Sequence, residues 1–326
     1  MIITRTPLRI SIGGGGTDLP SYSDQFGGFV ISGAISKYVY ILFNRIHRPL
    51  YLIKYSHIEE VKHRREISHP LFREALEALD IPPGVEIVSV ADVMAGTGLG
   101  SSGTFTVGLL HALFAATHKI ASPEALAVRA IEIEMSRLGE PVGKQDQYIA
   151  AYGGLMCQEY KTDGTVVISP LKVSESTRRE LADGLMLFYT GASRAASEIL
   201  LDQKVRSERG DRDVIENLHH IKDLGHRIRD ALEAGRPEEF GRMMDEHWQR
   251  KRQRNPGMSA PEIDRAYEHA MRNGALGGKL VGAGGGGFLL FYTADRIRLR
   301  RAMSELGLGE MPFSFDFHGT IVQLHD

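Results

Sequence analysis

The clearest periodic feature of the chain is a stripe of apolar residues at helical spacing: Phe105, Leu109, Leu110, Leu113 and Phe114. Because the stripe follows two serines, it predicts a helix that begins near Ser101. A second helix is predicted after Ser122, which can cap it, with Pro123 in the first turn and Glu124 near the positive end of the helix dipole. That helix is expected to end near Gly139.

Apolar runs bounded by turn residues predict strands in the first half of the chain at residues 2–12, 29–46 (as one strand or two), 85–90, 153–160 and 165–168. Later segments predict long charged helices and further strands: helices at 195–250 and 261–273, strands at 185–190, 288–292 and 320–324. We therefore predict two domains, residues 1–170 and 171–326, the second of α+β type. No repeat or low-complexity linker separates them, so they are expected to pack together around a cleft.

The composition narrows the class of protein. The chain has 326 residues, of which 42% are hydrophobic and 25% charged, as in soluble globular proteins. Its 39 basic and 41 acidic side chains give a net charge of −2, which argues against nucleic-acid or membrane-surface partners. The single Cys157 excludes an internal disulfide and is interpreted as a small core residue. With no signal-peptide pattern or long apolar span, we predict a cytoplasmic protein.

Candidate chemistry begins at Met94–Gly103, where four glycines and two serines run into the predicted helix. Backbone N–H groups at a helix N-terminus attract anions, and glycines let phosphate oxygens approach them. The spacing Gly98-x-Gly100-x-x-Gly103 is also typical of dinucleotide-binding folds. That interpretation is disfavoured, because the strand at 85–90 ends too early and no acidic residue closes a following strand. The segment therefore predicts a phosphate-binding loop, with an NAD-dependent oxidoreductase as a distant alternative.

Three further segments add chemistry to this loop. Pro7–Pro20 carries Arg9 on a strand and then four glycines followed by Thr17 and Asp18, which lets backbone and carboxylate approach a ligand. Gly143–Gln147 follows the helix that carries Glu134. The third segment, 277–288, is again rich in glycine.

Together these segments resemble the GHMP kinases, the superfamily of galactokinase, homoserine kinase, mevalonate kinase and phosphomevalonate kinase. The resemblance covers nearly the whole chain and implies the GHMP kinase fold, with an N-terminal domain like domain 2 of ribosomal protein S5 and a ferredoxin-like α+β C-terminal domain. It also implies ATP and Mg²⁺ as cofactors. The residues that it assigns to the ATP phosphates are Gly96, Gly98, Leu99, Gly100, Ser101, Ser102 and Gly103.

The resemblance also implies catalytic roles. Asp146 would take the proton of the acceptor hydroxyl, and Arg9, with Lys144 as a second candidate, would offset charge in the transition state. Ser102 and Glu134 would bind Mg²⁺, with Glu132 as the alternative if the register differs.

Parts of three segments are similar to D-glycero-D-manno-heptose 7-phosphate kinases: residues 13–22, 143–148 and 190–194. This similarity implies phosphorylation of the anomeric C1 hydroxyl of the heptose 7-phosphate to the 1,7-bisphosphate, for nucleotide-activated heptose and surface polysaccharide. Galactokinases carry Glu-His where this chain has Gly15 and Gly16, so galactose is disfavoured.

The residues expected to contact this sugar phosphate are Gly15, Gly16, Thr17, Asp18, Arg194 and Lys251. Arg252 is a further candidate for the phosphate, although the run 250–254 is otherwise interpreted as a solvated helix face. The alternatives are a kinase for fucose or another unphosphorylated sugar, and a non-catalytic sensor of sugar and ATP. Monomer and homodimer both remain open.

Overall fold

The computed structural model describes residues 1–191 and 196–325. Its strands are β1 (Ile2–Gly13), β2 (Gly28–Arg45), β3 (Tyr51–Lys54), β4 (Ile58–Val61), β5 (Val85–Ala91), β6 (Leu155–Tyr160), β7 (Val166–Pro170), β8 (Leu185–Tyr189), β9 (Ala275–Leu280), β10 (Phe288–Thr293) and β11 (Ile321–His325). Its α-helices are α1 (Pro20–Phe26), α2 (Pro70–Ala78), α3 (Ser101–Ala116), α4 (Pro123–Ile131), α5 (Gln145–Tyr152), α6 (Glu175–Gly184), α7 (Ala196–Glu208), α8 (Arg212–Glu233), α9 (Pro237–Arg254), α10 (Pro261–Arg272) and α11 (Arg296–Glu305). Within these ranges, no helix has both the length and the apolar character needed to cross a membrane.

The larger sheet is organised by β2, an 18-residue strand that serves several partners. Along one edge it pairs with β1, and along the other it pairs first with β6 and then with β5. The described part of this sheet has eight strands, in the order β11-β1-β2-β5-β3-β4, with β6 and β7 attached beside β2. The region predicted as one or two strands at 29–46 is therefore one strand.

Helix α3 begins at Ser101 as predicted and packs between the larger sheet and its neighbouring helices. Every residue from 103 to 110 is buried, so the helix is enclosed on all sides rather than half exposed. The next helix also begins as predicted, because the hydroxyl of Ser122 accepts a hydrogen bond from the Ala125 N–H at 3.1 Å. It continues as a π-helical turn, Glu132–Arg137, before Gly139.

The second half of the chain builds a smaller antiparallel sheet, β8-β10-β9, covered by α9 and α10. Trp248 and Phe291 are buried in the core between this sheet and its helices. The main core nevertheless spans both halves, because Ile228 of α8 is buried in the same cluster as Ile10 of β1. Cys157 is also buried in that main core with a free thiol, which confirms its interpretation as a small core residue.

The strand predicted at 320–324 corresponds to β11, but its position differs from the predicted one. It pairs antiparallel with β1 at the edge of the larger sheet, with Ile2 opposite His325 and Arg5 opposite Ile321. The expectation that this strand belongs with the second half is therefore wrong. The division of the chain at residue 170 stays a prediction, since the last strand returns across it.

Leu110 offers a test of the enclosed core. It is fully buried in α3, so Leu110→Ala should lower the free energy of unfolding by about 2–5 kcal/mol through lost burial and an unfilled cavity. Val128→Ala is the control, because Val128 is 50% exposed on α4 and should change stability by only about 0.5 kcal/mol. Urea denaturation measures both values, and similar losses for the two variants would contradict this packing.

Candidate active site

Two glycine-rich loops from different halves of the chain meet by backbone contact beside the central cavity. A Cβ on Gly98 would lie 2.4 Å from the Val281 carbonyl oxygen, and one on Gly282 would lie 2.4 Å from the Gly98 Cα. Side chains therefore cannot occupy either position without separating the loops. Together with the ends of β1 and α9, the loops border a cavity of about 900 Å³.

The N-terminus of α3 opens into this cavity. Gly100 is its N-cap, with φ of 77°, and no side chain caps the helix. The predicted phosphate-loop residues divide into two groups. Those that line the cavity are Gly96, Gly98, Gly100, Ser101 and Ser102, whereas Leu99 and Gly103 are not among its lining residues. The uncapped N–H groups of a 16-residue helix make this end of the cavity suited to an anion.

Arg9 connects this loop to Asp146. Its Nε donates to Asp146 Oδ1 at 2.8 Å, its Nη1 donates to the Gly98 carbonyl at 2.5 Å, and its backbone N–H donates to the Leu99 carbonyl at 3.0 Å. Asp146 stands in the first turn of α5 and its side chain is 24% exposed, whereas that of Arg9 is almost fully buried. The structure thus places a fixed carboxylate directly beside the helix end.

Lys144 occupies a different position from that of the other two candidate catalytic residues. It is the N-cap residue of α5, and it is absent from the residues that line the cavity, although both Gly143 and Gln145 belong to them. Arg9 is therefore the cation that the structure brings to Asp146.

Asp18 is fully buried, yet it borders the cavity. Its carboxylate accepts hydrogen bonds from the Gly16 N–H at 3.1 Å and from the Gln145 N–H at 3.2 Å, and the Gln145 side-chain amide donates to it at 3.3 Å. Burial, and secondarily the charge of Asp146, raises the pKa of Asp18. A Cβ on Gly143 would lie 1.9 Å from Asp18 Oδ2, so only glycine allows this packing.

The other residues of the predicted sugar loop differ in position. Gly15 and Gly16 line the cavity. Thr17 is buried outside the cavity lining, where its hydroxyl donates to the carbonyls of Gly14 at 2.8 Å and Phe29 at 3.0 Å. It therefore shapes the loop from within.

The two candidate metal ligands lie together. Ser102 Oγ donates to Glu134 Oε2 at 2.5 Å, and Gln147 Nε2 donates to Glu134 Oε1 at 3.0 Å. Glu134 is only 1% exposed, and burial raises its pKa. Glu132, the register alternative, instead forms surface ion pairs with Arg129 at 2.6 Å and Arg137 at 3.4 Å.

A divalent cation would fit the Ser102–Glu134 pair. The side-chain hydrogen-bond partners that the structure describes for the Glu134 carboxylate, Ser102, Gln147 and Thr106, are all neutral, so its buried charge has no positive partner among them. A hydroxyl and a carboxylate are hard oxygen donors, which Mg²⁺ prefers.

The interpretation of residues 250–254 as a solvated face is wrong for two of them. Lys251 and Arg254 are each 6% exposed and line the cavity. Arg252 is directed away from it and pairs with Asp264 at 2.8 Å near the surface. Arg194, the other candidate for the sugar phosphate, lies outside the described residues.

Sequence reasoning missed several residues that line the cavity: Gln145, Gln203, His247, Arg254 and Lys279. A usable signal was present in α9, because residues 247, 251 and 254 are spaced by four and three positions and share one helix face. Lys279 carried no such signal, since it stands in a short strand beside glycines.

The pKa values of these basic groups are low because they are buried together. Burial and neighbouring cations lower the pKa of Lys251 and of His247 well below their usual ranges. Burial, with Arg9 nearby, lowers the pKa of Lys279 to about 7. Burial lowers the pKa of Arg254 to about 10. Bound negative charge would favour the protonated forms of all four groups.

A cavity with anion-binding groups on either side of a fixed carboxylate indicates an enzyme that moves phosphoryl groups. Two family models support this class: that of the GHMP kinases N terminal domain matches residues 67–154, and that of the GHMP kinases C terminal matches residues 228–308. The chain belongs to the GHMP kinase family and is an ATP-dependent kinase. This confirms the family and the fold that the resemblance of these segments implies.

Individual relatives are similar over most of the chain. The D-glycero-alpha-D-manno-heptose 7-phosphate kinase of Campylobacter jejuni is 29% identical over 305 residues, which cover 90% of this chain and 89% of that protein. A crystal structure described as a D-glycero-D-manno-heptose 1-phosphate kinase from Bacteroides thetaiotaomicron covers 100% of both chains at 26% identity, with a TM-score of 0.82. The L-fucokinase/L-fucose-1-P guanylyltransferase of Bacteroides fragilis is 26% identical over 92% of this chain, which spans only 36% of that longer protein.

The buried Lys279 on β9 makes the free energy of unfolding depend on pH. With a pKa of about 7 for folded Lys279 against an ordinary value of 10.5, the unfolded chain binds the extra proton between these values. The free energy of unfolding of the wild type, relative to Lys279→Met, should therefore rise as the pH increases from about 7 towards about 10. Urea denaturation across that range measures the difference, with Lys161→Met as a control at an exposed lysine. A difference that stays flat across the range would contradict the lowered pKa.

Proposed function

We propose that the protein transfers the γ-phosphoryl group of ATP to the anomeric C1 hydroxyl of D-glycero-D-manno-heptose 7-phosphate. The observation that carries this proposal is the position of Arg9, which bonds both Asp146 and the Gly98 carbonyl. A proton acceptor is thereby held beside the loop where the ATP phosphates would bind. Positioning and charge stabilisation of this kind account for most of the catalysis in phosphoryl transfer.

In the proposed reaction, the acceptor oxygen forms a bond to the γ-phosphorus while the bond from that phosphorus to the β–γ bridging oxygen breaks, and ADP leaves. Asp146 accepts the hydroxyl proton on the carboxylate oxygen that Arg9 Nε does not engage. The guanidinium of Arg9 and the N–H groups at the start of α3 offset negative charge on the transferred group. Lys144, which does not line the cavity, is the weaker candidate for this cationic role.

Ser102 and Glu134 are the residues that would hold Mg²⁺. When bound, the ion would neutralise phosphate charge and orient the phosphate oxygens. The apolar walls of the cavity, which include Val39, Leu71 and Phe105, suit the base of the nucleotide.

The heptose assignment rests on the acceptor loop and on the relatives. The absence of side chains at Gly15 and Gly16 lets Ser11 and Arg254 approach the loop that carries Asp18, whose carboxylate would bind sugar hydroxyls. The names of two relatives share a phosphorylated heptose but differ in the phosphate position, 7 in one and 1 in the other. Position 7 is the consistent choice here, because phosphate transfer to C1 requires a free anomeric hydroxyl. The 1,7-bisphosphate would then feed the synthesis of nucleotide-activated heptose.

Asp146→Asn tests the catalytic assignment. Asparagine keeps an oxygen that can accept from Arg9 but is not a base, so kcat should fall about 10²- to 10⁴-fold. The Kd for ATP should stay nearly constant, as measured by calorimetry. Asp163→Asn, at an exposed turn, is the control and should leave kcat unchanged. A kcat near the wild-type value for Asp146→Asn would remove this residue from the base role.

An acceptor comparison tests the substrate. ADP release should be measured with each acceptor in a separate assay. The kcat/KM should be highest for D-glycero-D-manno-heptose 7-phosphate and lower for heptose 1-phosphate, fucose, mannose and galactose. Phosphorus NMR of the product should show a new anomeric phosphate. A preference for fucose would favour the second candidate, an unphosphorylated-sugar kinase, which the similarity to L-fucokinase supports. Binding of sugar and ATP without any ADP release would instead indicate a sensor.

A further inference from the structure

One face of α9 and the neighbouring strand β9 bring four basic side chains to a single part of the cavity. His247, Lys251, Arg254 and Lys279 are 3%, 6%, 6% and 2% exposed. Charged residues are almost never buried to this degree without a partner of opposite charge, because desolvation of the charge is costly. The cluster therefore needs an explanation beyond folding.

The protein partners of this cluster carry no negative charge. Lys251 Nζ donates to the carbonyls of Leu280, at 3.0 Å, and Gly282. Lys279 Nζ donates to the Ile12 carbonyl at 2.9 Å. Arg254 Nη1 donates to the side-chain oxygen of Gln203 at 2.9 Å. Within residues 1–191 and 196–325, none of the four forms an ion pair with a carboxylate.

Polar atoms in the same region also lack partners. Both ring nitrogens of His247, the Nε of Arg254 and the hydroxyl of Ser11 make no hydrogen bond within the described part of the chain. All three residues line the cavity. Buried polar atoms are nearly always satisfied, so unpartnered ones that border a cavity indicate a polar ligand.

The cluster lies beside the acceptor loop. A Cβ on Gly16 would lie 2.8 Å from Arg254 Nη1, and Gln203, the partner of Arg254, also donates to the Gly16 carbonyl at 2.9 Å. Lys279 is anchored to Ile12, which precedes that loop on β1. An anion bound here would therefore belong to the acceptor rather than to the nucleotide, whose phosphates would occupy the end of α3.

We propose that His247, Lys251, Arg254 and Lys279 bind the phosphate that the acceptor sugar already carries, and so select a sugar phosphate over an unphosphorylated sugar. This inference rests on the proposed function. A phosphate monoester carries a charge of about −1.5 to −2 at pH 7 and offers oxygens that match the guanidinium fork and the ammonium groups. Its binding would satisfy the open donors and stabilise the protonated forms of the lysines and the histidine.

Arg254→Met and Lys251→Met test the subsite, with Arg252→Met as a control on the same helix. For the first two variants, kcat/KM with heptose 7-phosphate should fall about 10- to 100-fold, the loss expected for one charge-assisted hydrogen bond. The kcat/KM with the unphosphorylated heptose and the KM for ATP should change less than about threefold, so the selectivity for the phosphorylated sugar collapses. Arg252→Met should behave as the wild type, because its side chain pairs with Asp264 instead.

Equal losses with both acceptors, or a rise in the KM for ATP alone, would overturn the subsite. Inorganic phosphate provides a test that does not depend on the reaction. It should raise the melting temperature of the wild type and of Arg252→Met more than that of Arg254→Met, which keeps only the anion-binding end of α3, even if heptose 7-phosphate proves to be a poor substrate. Such stabilisation by phosphate together with poor turnover of heptose 7-phosphate would refute the proposed acceptor but support the anion site formed by the four basic residues. Equal stabilisation of all three proteins would refute that anion site itself.

Discussion

The close backbone contact between Gly98 and Gly282 is the constraint on which the site depends. It brings the loop before α3 against the turn after β9, so that residues far apart in sequence face one cavity. Arg9 donates to the Gly98 carbonyl on one side of the contact, and Lys251 donates to the Gly282 carbonyl on the other. A side chain at either glycine would force the loops apart and disturb the anchors of both cations. Glycines of Met94–Gly103 and of residues 277–288 thus serve the packing of the two loops.

Around this contact, ionisable side chains are buried at positions where folding alone would disfavour their charged forms. Asp18 and Glu134 are buried carboxylates with raised pKa values, and Lys251 and Lys279 are buried amines with lowered ones. Such groups reduce stability in the empty protein. They also need little reorganisation to bind polar or charged ligands, since their hydrogen bonds already fix their positions. The site therefore exchanges some stability for preorganisation, a common relation in enzymes.

The fold and much of the candidate site could be predicted from the sequence, because their signals are local. The helix start at Ser101, the cap at Ser122 and the glycine motifs each follow from neighbouring residues, and the motifs together indicate the family. Spacing alone could not choose between Glu132 and Glu134. Both residues lie in the π-helical turn, and only Glu134 is buried there with a hydrogen bond from the hydroxyl of Ser102.

The predictions that the structure contradicts concern contacts between distant segments. Lys251 and Arg254 belong to a basic run that composition alone assigns to solvent, and only the packing of α9 on β9 shows that two of its members are buried. The pairing of β11 with β1 could not be predicted either, because the apolar pattern of a strand does not say which sheet the strand joins.

The pairing of β11 with β1 also has a consequence for how the site is assembled. Arg9 is on β1, the strand that lies between β2 and β11, and residues 2–5 at the start of β1 have β11 as their neighbour along one edge. During synthesis on the ribosome, that edge stays open until β11, which follows β1 at a long distance in the sequence, has emerged. Closing so long a loop is among the slowest steps in folding. The strand that carries Arg9 therefore gains its second neighbour late, when two segments far apart in the sequence meet.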